Sequence, residues 1–144
     1  MAPKRSKRFS KHERKGKTMN RPIKFRGINP ETGKWVYGSL FYRLQKNIKY
    51  GDKEICEILY GDHLWESVIP ETLGQFTGLL DKNGKEIYEG DIIRDIHFYK
   101  PVEVVWGGNG YWTNQNGFKV MPELIYREII GNFHENPELL GEKK

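Results

Sequence analysis

The sequence has a single cysteine, Cys56, so no disulfide can form within the chain. That suits a reducing compartment, and a cytoplasmic location is expected. The chain also lacks any apolar run near the roughly 18 residues a membrane-crossing helix requires, so no membrane partner is expected. Its basic N-terminus is not followed by the apolar segment of a secretory signal. Histidine is sparse: His12, His63, His97 and His134 are scattered, and none has a second His or Cys at a spacing suited to zinc. No metal and no cofactor is therefore expected. Hydrophobic residues are only 37% of the chain, a modest stock for a core.

Aromatics make up the difference. They reach 13% of the 144 residues, and each large ring buries enough area to help hold a single domain together. Sixteen Gly and seven Pro favour turns and short strands over long helices. The formal net charge of +5 is unevenly spread. Residues 1–22 hold nine Lys or Arg against one acid, Glu13, which gives +8. The rest holds fifteen basic and eighteen acidic side chains, which gives −3. A mildly acidic domain therefore carries a basic arm.

Residues 1–18 have Phe9 as their only large apolar side chain and cannot offset the entropy of ordering, so they read as a flexible, disordered arm. Lys4, Arg5, Lys7, Arg8, Lys11, Arg14, Lys15 and Lys17 would supply the contacts of an electrostatic arm for nucleic acid, each neutralised phosphate releasing counterions. The same stretch also reads as a solubilising tail, or as residues upstream of a start at Met19.

From Ile23 the pattern becomes that of strands. Ile23 to Arg26 alternates apolar and basic, as a half-buried strand does. Asn29 to Lys34 is a turn, and Trp35 to Tyr42 returns as a second strand kinked or bulged near Gly38. Trp35, Tyr37, Phe41 and Tyr42 read as core and cross-strand packing. Residues 46–52 are turn-like, 55–60 a strand, and 63–67 a further extended piece. Asp81-Lys82-Asn83-Gly84-Lys85 has the composition of a hairpin loop, and Glu89-Gly90-Asp91 is a sharp turn. Strands are then expected over 91–99, 102–106, 111–113, 118–120 and 128–133, with a helical turn at Asn136 to Leu140 capped by Asn136 and opened by Pro137. Short strands at this spacing, with Gly-rich tips, indicate a small antiparallel barrel.

Several of these segments together resemble the YopX family. The resemblance runs in order through Met19 to Gly27, Gly33 to Gly38, Val68 to Leu79, Asp81 to Ile93 and Ile130 to Leu140. It implies a small phage or prophage protein with an SH3-type barrel in its C-terminal part, and it implies no particular reaction. The expected organisation is therefore mainly β. A flexible basic arm (1–18) precedes an N-terminal β-hairpin region (19–67) and a C-terminal SH3-like antiparallel barrel with a short helical turn (68–144).

Four acids, Glu86, Glu89, Asp91 and Asp95, suggest Mg²⁺ or acid–base chemistry, but Asp91 after Gly90 reads more simply as an acceptor for turn amides. Gly107 to Gly110 is a hairpin tip, since it lacks the helix and Lys that a phosphate loop needs. Cys56, between Ile55 and Ile58, reads as a buried inert thiol. Trp106, Tyr111, Trp112 and Phe118 form a candidate aromatic binding surface, with Trp106 and Tyr111 expected to oppose each other across the tip. The expected function is a non-enzymatic binding module for a host or phage macromolecule, with nucleic acid a partner for the arm. A small-molecule or nucleotide binder, or a homo-oligomeric structural protein, is the alternative.

Overall fold

The computed structural model describes residues 22–96, 98–107, 112–114 and 127–141. The basic arm, Tyr111, Phe118 and the expected strand at 118–120 lie outside the described residues. Ten strands are described: β1 (Phe25–Ile28), β2 (Trp35–Gln45), β3 (Lys53–Tyr60), β4 (Leu64–Ser67), β5 (Gly74–Leu80), β6 (Glu86–Tyr88), β7 (Asp91–Arg94), β8 (Val102–Trp106), β9 (Trp112–Asn114) and β10 (Glu128–Asn132). All pairings are antiparallel. They form a six-stranded sheet in the order β4-β3-β2-β1-β5-β6 and a four-stranded sheet in the order β10-β7-β8-β9.

The mainly β, antiparallel class expected from sequence is what the chain adopts, but the described strands form two open sheets, with no hydrogen-bonded closure into a barrel. The reason lies at Gly90. Its φ of +88° turns the chain out of β6 and into β7, which belongs to the other sheet. β5 pairs with β1 through Phe25↔Gln75 and Arg26↔Gly74, so the first sheet also runs across the 67/68 boundary drawn from sequence.

Turn chemistry sets most of the corners. Asp81 Oδ1 accepts the amides of Asn83 (2.8 Å) and Lys85 (2.9 Å), while Oδ2 accepts that of Ile129 (3.2 Å), so one carboxylate closes the 81–85 loop and ties it to β10. β2 runs unbroken through Gly38. A Cβ there would lie 2.0 Å from the Leu59 carbonyl oxygen, so close approach of β3 is what excludes a side chain. β7 is shorter than the strand expected over 91–99, because the chain turns after Arg94 and the Phe98 amide bonds back to the Asp95 carbonyl. Pro137–Leu140 is the expected short turn, a 3-10 helix with Pro137 in first position. The Asn136 side chain does not cap it, and instead accepts the Asn132 amide at 3.3 Å.

Two apolar clusters hold the sheets. Ile87, Ile93, Val102, Val104 and Trp112 form one, joined by Leu79 of β5, Ile129 of β10 and Phe98 between β7 and β8. Val36, Cys56, Ile58 and Val68 form the other, within the six-stranded sheet. Cys56 is a buried free thiol, and burial pushes its pKa up.

Candidate functional site

A cleft of about 630 Å³ is lined by Arg26, Trp35, Tyr37, Tyr88, Asn132 and Glu135 among others. Its lining draws on β1, β2, β6, β7 and the 131–136 segment, so four of the stretches that carry the family resemblance converge on it. Arg26 lies on its floor and is 6% exposed. Its Nη2 donates to Asp91 Oδ1 at 2.7 Å, and its guanidinium stacks 4.3 Å from the Trp35 ring centroid and 5.0 Å from that of Tyr88. The other Asp91 oxygen accepts the Tyr88 amide at 2.7 Å. On the rim, Trp35 Nε1 and Asn132 Nδ2 each donate to Glu135 at 3.0 Å.

The electrostatics follow from burial. Burial pushes the Asp91 carboxyl above its ordinary value, against the pull of Arg26 and of the Tyr88 amide. Burial, with the Glu86 charge second, raises the Tyr88 hydroxyl, so it stays a phenol at neutral pH. Burial and then the Arg26 charge lower His134, whose ring lies 6.0 Å from that of Trp35. With Arg26 matched by Asp91, the floor holds shape and offers rings and hydrogen-bonding edges to a visitor.

A second feature lies on the same face of the same sheet. Register pairs Arg26 with Tyr37, Phe41 with Glu57, and Leu59 with Trp65. Because side chains alternate along a strand, Arg26, Tyr37, Ser39, Phe41, Glu57 and Trp65 all project to one side. Phe41 and Trp65 are 44% and 48% exposed, and their rings meet edge to face with centroids 5.6 Å apart. With Glu57 they line a groove of about 280 Å³. Tyr42 and Leu44 stand out on the opposite side, and Ile48 and Tyr50 at the hairpin tip.

Trp35, Tyr37, Phe41 and Tyr42 are expected from sequence to be core and cross-strand packing. Trp35 is half-buried, but Tyr37, Phe41 and Tyr42 are exposed. Tyr37 lies beside β1, whereas Phe41 and Tyr42 lie beyond its end. β1 pairs with β2 only as far as Gly38, so β2 from Ser39 to Gln45 extends outboard with β3 alone beside it.

Of the aromatic surface expected at Trp106, Tyr111, Trp112 and Phe118, the described residues are Trp106 and Trp112. Trp106 pairs in register with Trp112, not Tyr111, with ring centroids 4.7 Å apart. Trp106 is 52% exposed while Trp112 is 8% exposed and belongs to the core. Pairing across the tip brings the two indoles together, and one of them fills the inter-sheet cluster. Of the four acids, Glu86 pairs with Lys24, and Asp91 and Asp95 are buried. Among the described residues, no group of three or more His, Cys, Asp or Glu could hold a metal ion. No helix of the described residues is long and apolar enough to cross a membrane. Lys4, Arg5, Lys7, Arg8, Lys11, Arg14, Lys15 and Lys17 lie outside the described residues.

Comparison with solved structures finds a likeness to the crystal structure of protein EF1440 from Enterococcus faecalis. It has 24% identity and a TM-score of 0.50, over 83% of this chain and 99% of that one. At that identity the likeness speaks for the fold. No curated protein matches the chain. The model of the family described as YopX protein matches residues 24–141, most of the sequence. The chain belongs to the YopX family.

Proposed function

We propose that this protein is a non-enzymatic binding module that docks a partner protein on the outboard face of β2, β3 and β4. The observation that carries this reading is the exposed Phe41–Trp65 pair beside the Glu57 groove. Large apolar side chains grouped on an uncovered sheet face mark interaction sites, and aromatic anchors supply much of the energy at such sites. Tyr37 extends the same face toward the Arg26 cleft, so a partner seated on Phe41 can reach the cleft rim. The phage and prophage setting that the family resemblance implies makes a host or phage protein in the host cytoplasm the natural partner.

The test is capture of partners by a tagged chain from the cells that produce it, beside a Phe41→Ser/Trp65→Ser double variant. The expected result is a partner held by the native chain and reduced at least tenfold by the variant. Equal recovery by both, or no partner on the native chain, refutes the reading. Light scattering separates a second copy of the chain from a different protein.

The Arg26 cleft supports a second reading, a small planar molecule held against Trp35 and Tyr37. A thermal-shift screen of nucleosides and nucleotides tests it. A rise in melting temperature that Trp35→Ala removes would favour it, and a flat response across the panel would count against it.

A further inference from the structure

β4 is the last strand of the six-stranded sheet, and no described strand lies on its outer side. Its ladder with β3 decides which backbone groups face that edge. The Val68 amide donates to the Cys56 carbonyl at 3.0 Å, which makes those two residues a hydrogen-bonded pair. In an antiparallel ladder such pairs alternate with pairs whose N–H and C=O groups point away from each other. Counting along the register, Glu66 bonds Ile58 and Leu64 bonds Tyr60, while Trp65 and Ser67 turn their N–H and C=O groups outward. Leu64, Trp65 and Ser67 are exposed. Natural sheet edges are commonly guarded by Lys or Pro, and Leu64-Trp65-Glu66-Ser67 has neither.

The side chains beside this edge add selectivity. A strand laid on β4 would sit about 4.8 Å away and place alternate side chains on the face that holds Trp65, Phe41 and Glu57. An apolar side chain there would extend the aromatic pair. The charged side chains on β4 and in the groove beside it are acidic, Glu66 and Glu57, with Arg43 two residues beyond Phe41 on the same face of β2. Hydrogen bonds from Asn29 and then Tyr60 hold the Glu66 carboxyl below its ordinary value, so it is ionised at neutral pH.

We propose that the β4 edge is a strand-addition site for an extended, basic segment of a partner protein, one whose central apolar side chain is flanked by Lys or Arg. Main-chain bonds to Trp65 and Ser67 give such a segment its register, and Glu57 and Glu66 select its charge. This inference rests on the protein-docking reading above and names the backbone and the chemistry that would do the docking.

The probes are three capped heptapeptides added to the full chain. One alternates lysine and valine around a central phenylalanine. The second is identical except for N-methyl groups on alternate residues, which remove backbone donors and keep charge and side chains. The third carries glutamate in place of lysine. Binding is read by amide shifts and hydrogen exchange. The basic peptide should shift the Trp65 and Ser67 amides and slow their exchange at least tenfold, and the other two should bind at least tenfold more weakly. Ser67→Pro, which removes one outward donor and no bond to β3, should weaken the basic peptide at least tenfold with the melting temperature retained.

Equal binding of the N-methylated peptide, unchanged exchange at Trp65 and Ser67 at saturation, or no binding of the basic peptide at millimolar concentration would each overturn the proposal. The docking reading fails separately, when the Phe41→Ser/Trp65→Ser variant keeps its cellular partner.

Discussion

Arg26 and Asp91, 65 residues apart in the chain, meet at 2.7 Å in a site that leaves each side chain less than a tenth exposed. The contact joins β1 of the six-stranded sheet to β7 of the four-stranded one. It also fixes the floor of the cleft, because Trp35 and Tyr88 stack on the guanidinium it holds in place. Removing one partner leaves a buried charge without its match. Arg26→Met should therefore cost about 3–5 kcal/mol in urea unfolding. The double variant Arg26→Met/Asp91→Leu should recover part of that loss, since it removes both charges. A double variant no more stable than the single one would show that the bond from the Tyr88 amide to Asp91 matters more than the ion pair.

Asp81 should govern stability in acid. Burial raises its carboxyl, but the amides of Lys85, Ile129 and Asn83 together outweigh burial and hold it below the ordinary value of 3.8. A carboxyl lowered by folding adds stability that is complete above the unfolded value and disappears as pH falls through the folded one. Asp81→Asn should cost about 1–3 kcal/mol at pH 7. The gap from the native chain should narrow as pH drops below the ordinary carboxylate range, which urea melts at stepped pH would reveal. A gap independent of pH would assign the loss to geometry alone.

Gly38→Ala tests the outboard hairpin. The added methyl would meet the Leu59 carbonyl, a backbone atom that cannot swing aside, so β2 and β3 must separate there. The expected loss is about 3 kcal/mol, with faster amide exchange along 39–45 and 53–59. Gly33→Ala has open space around it but a φ of +69°, and should cost only about 1 kcal/mol.

The two paired indoles at the ends of β8 and β9 should behave oppositely. Trp112→Ala empties part of the inter-sheet core and should cost about 3–5 kcal/mol. Trp106→Ala loses chiefly the ring contact between them, about 0.5–1.5 kcal/mol. Thermal unfolding of both variants reads the difference.

Local chemistry was readable from the sequence, and long-range pairing was not. The loop at Asp81 to Lys85 and the turn at Gly90 follow from residues adjacent in the chain, and both stand where the sequence places them. Arg26 is the counterexample. Alternation in Ile23 to Arg26 puts its side chain on the solvent side of a half-buried strand, yet β1 is an inner strand and Arg26 is buried against Asp91. Nothing within several residues of either partner announces the other. The exposed Phe41–Trp65 pair was hidden for a related reason. An aromatic on an alternating strand reads as core unless the length of its neighbour is known, and β1 stops too soon to cover Phe41. The order of Trp106, Tyr111 and Trp112 likewise depended on a register that turn composition leaves open by one residue.

The most direct test of protein docking is site-specific photocrosslinking in cells that carry the chain. A photoreactive residue replaces Ser39, which lies between Tyr37 and Phe41 on the outboard face, or Glu138, which lies in the Pro137–Leu140 turn. The docking account predicts a discrete adduct from position 39 that Phe41→Ser removes, and none from position 138. Adducts of equal yield from both positions, or a position-39 adduct indifferent to Phe41→Ser, would contradict it.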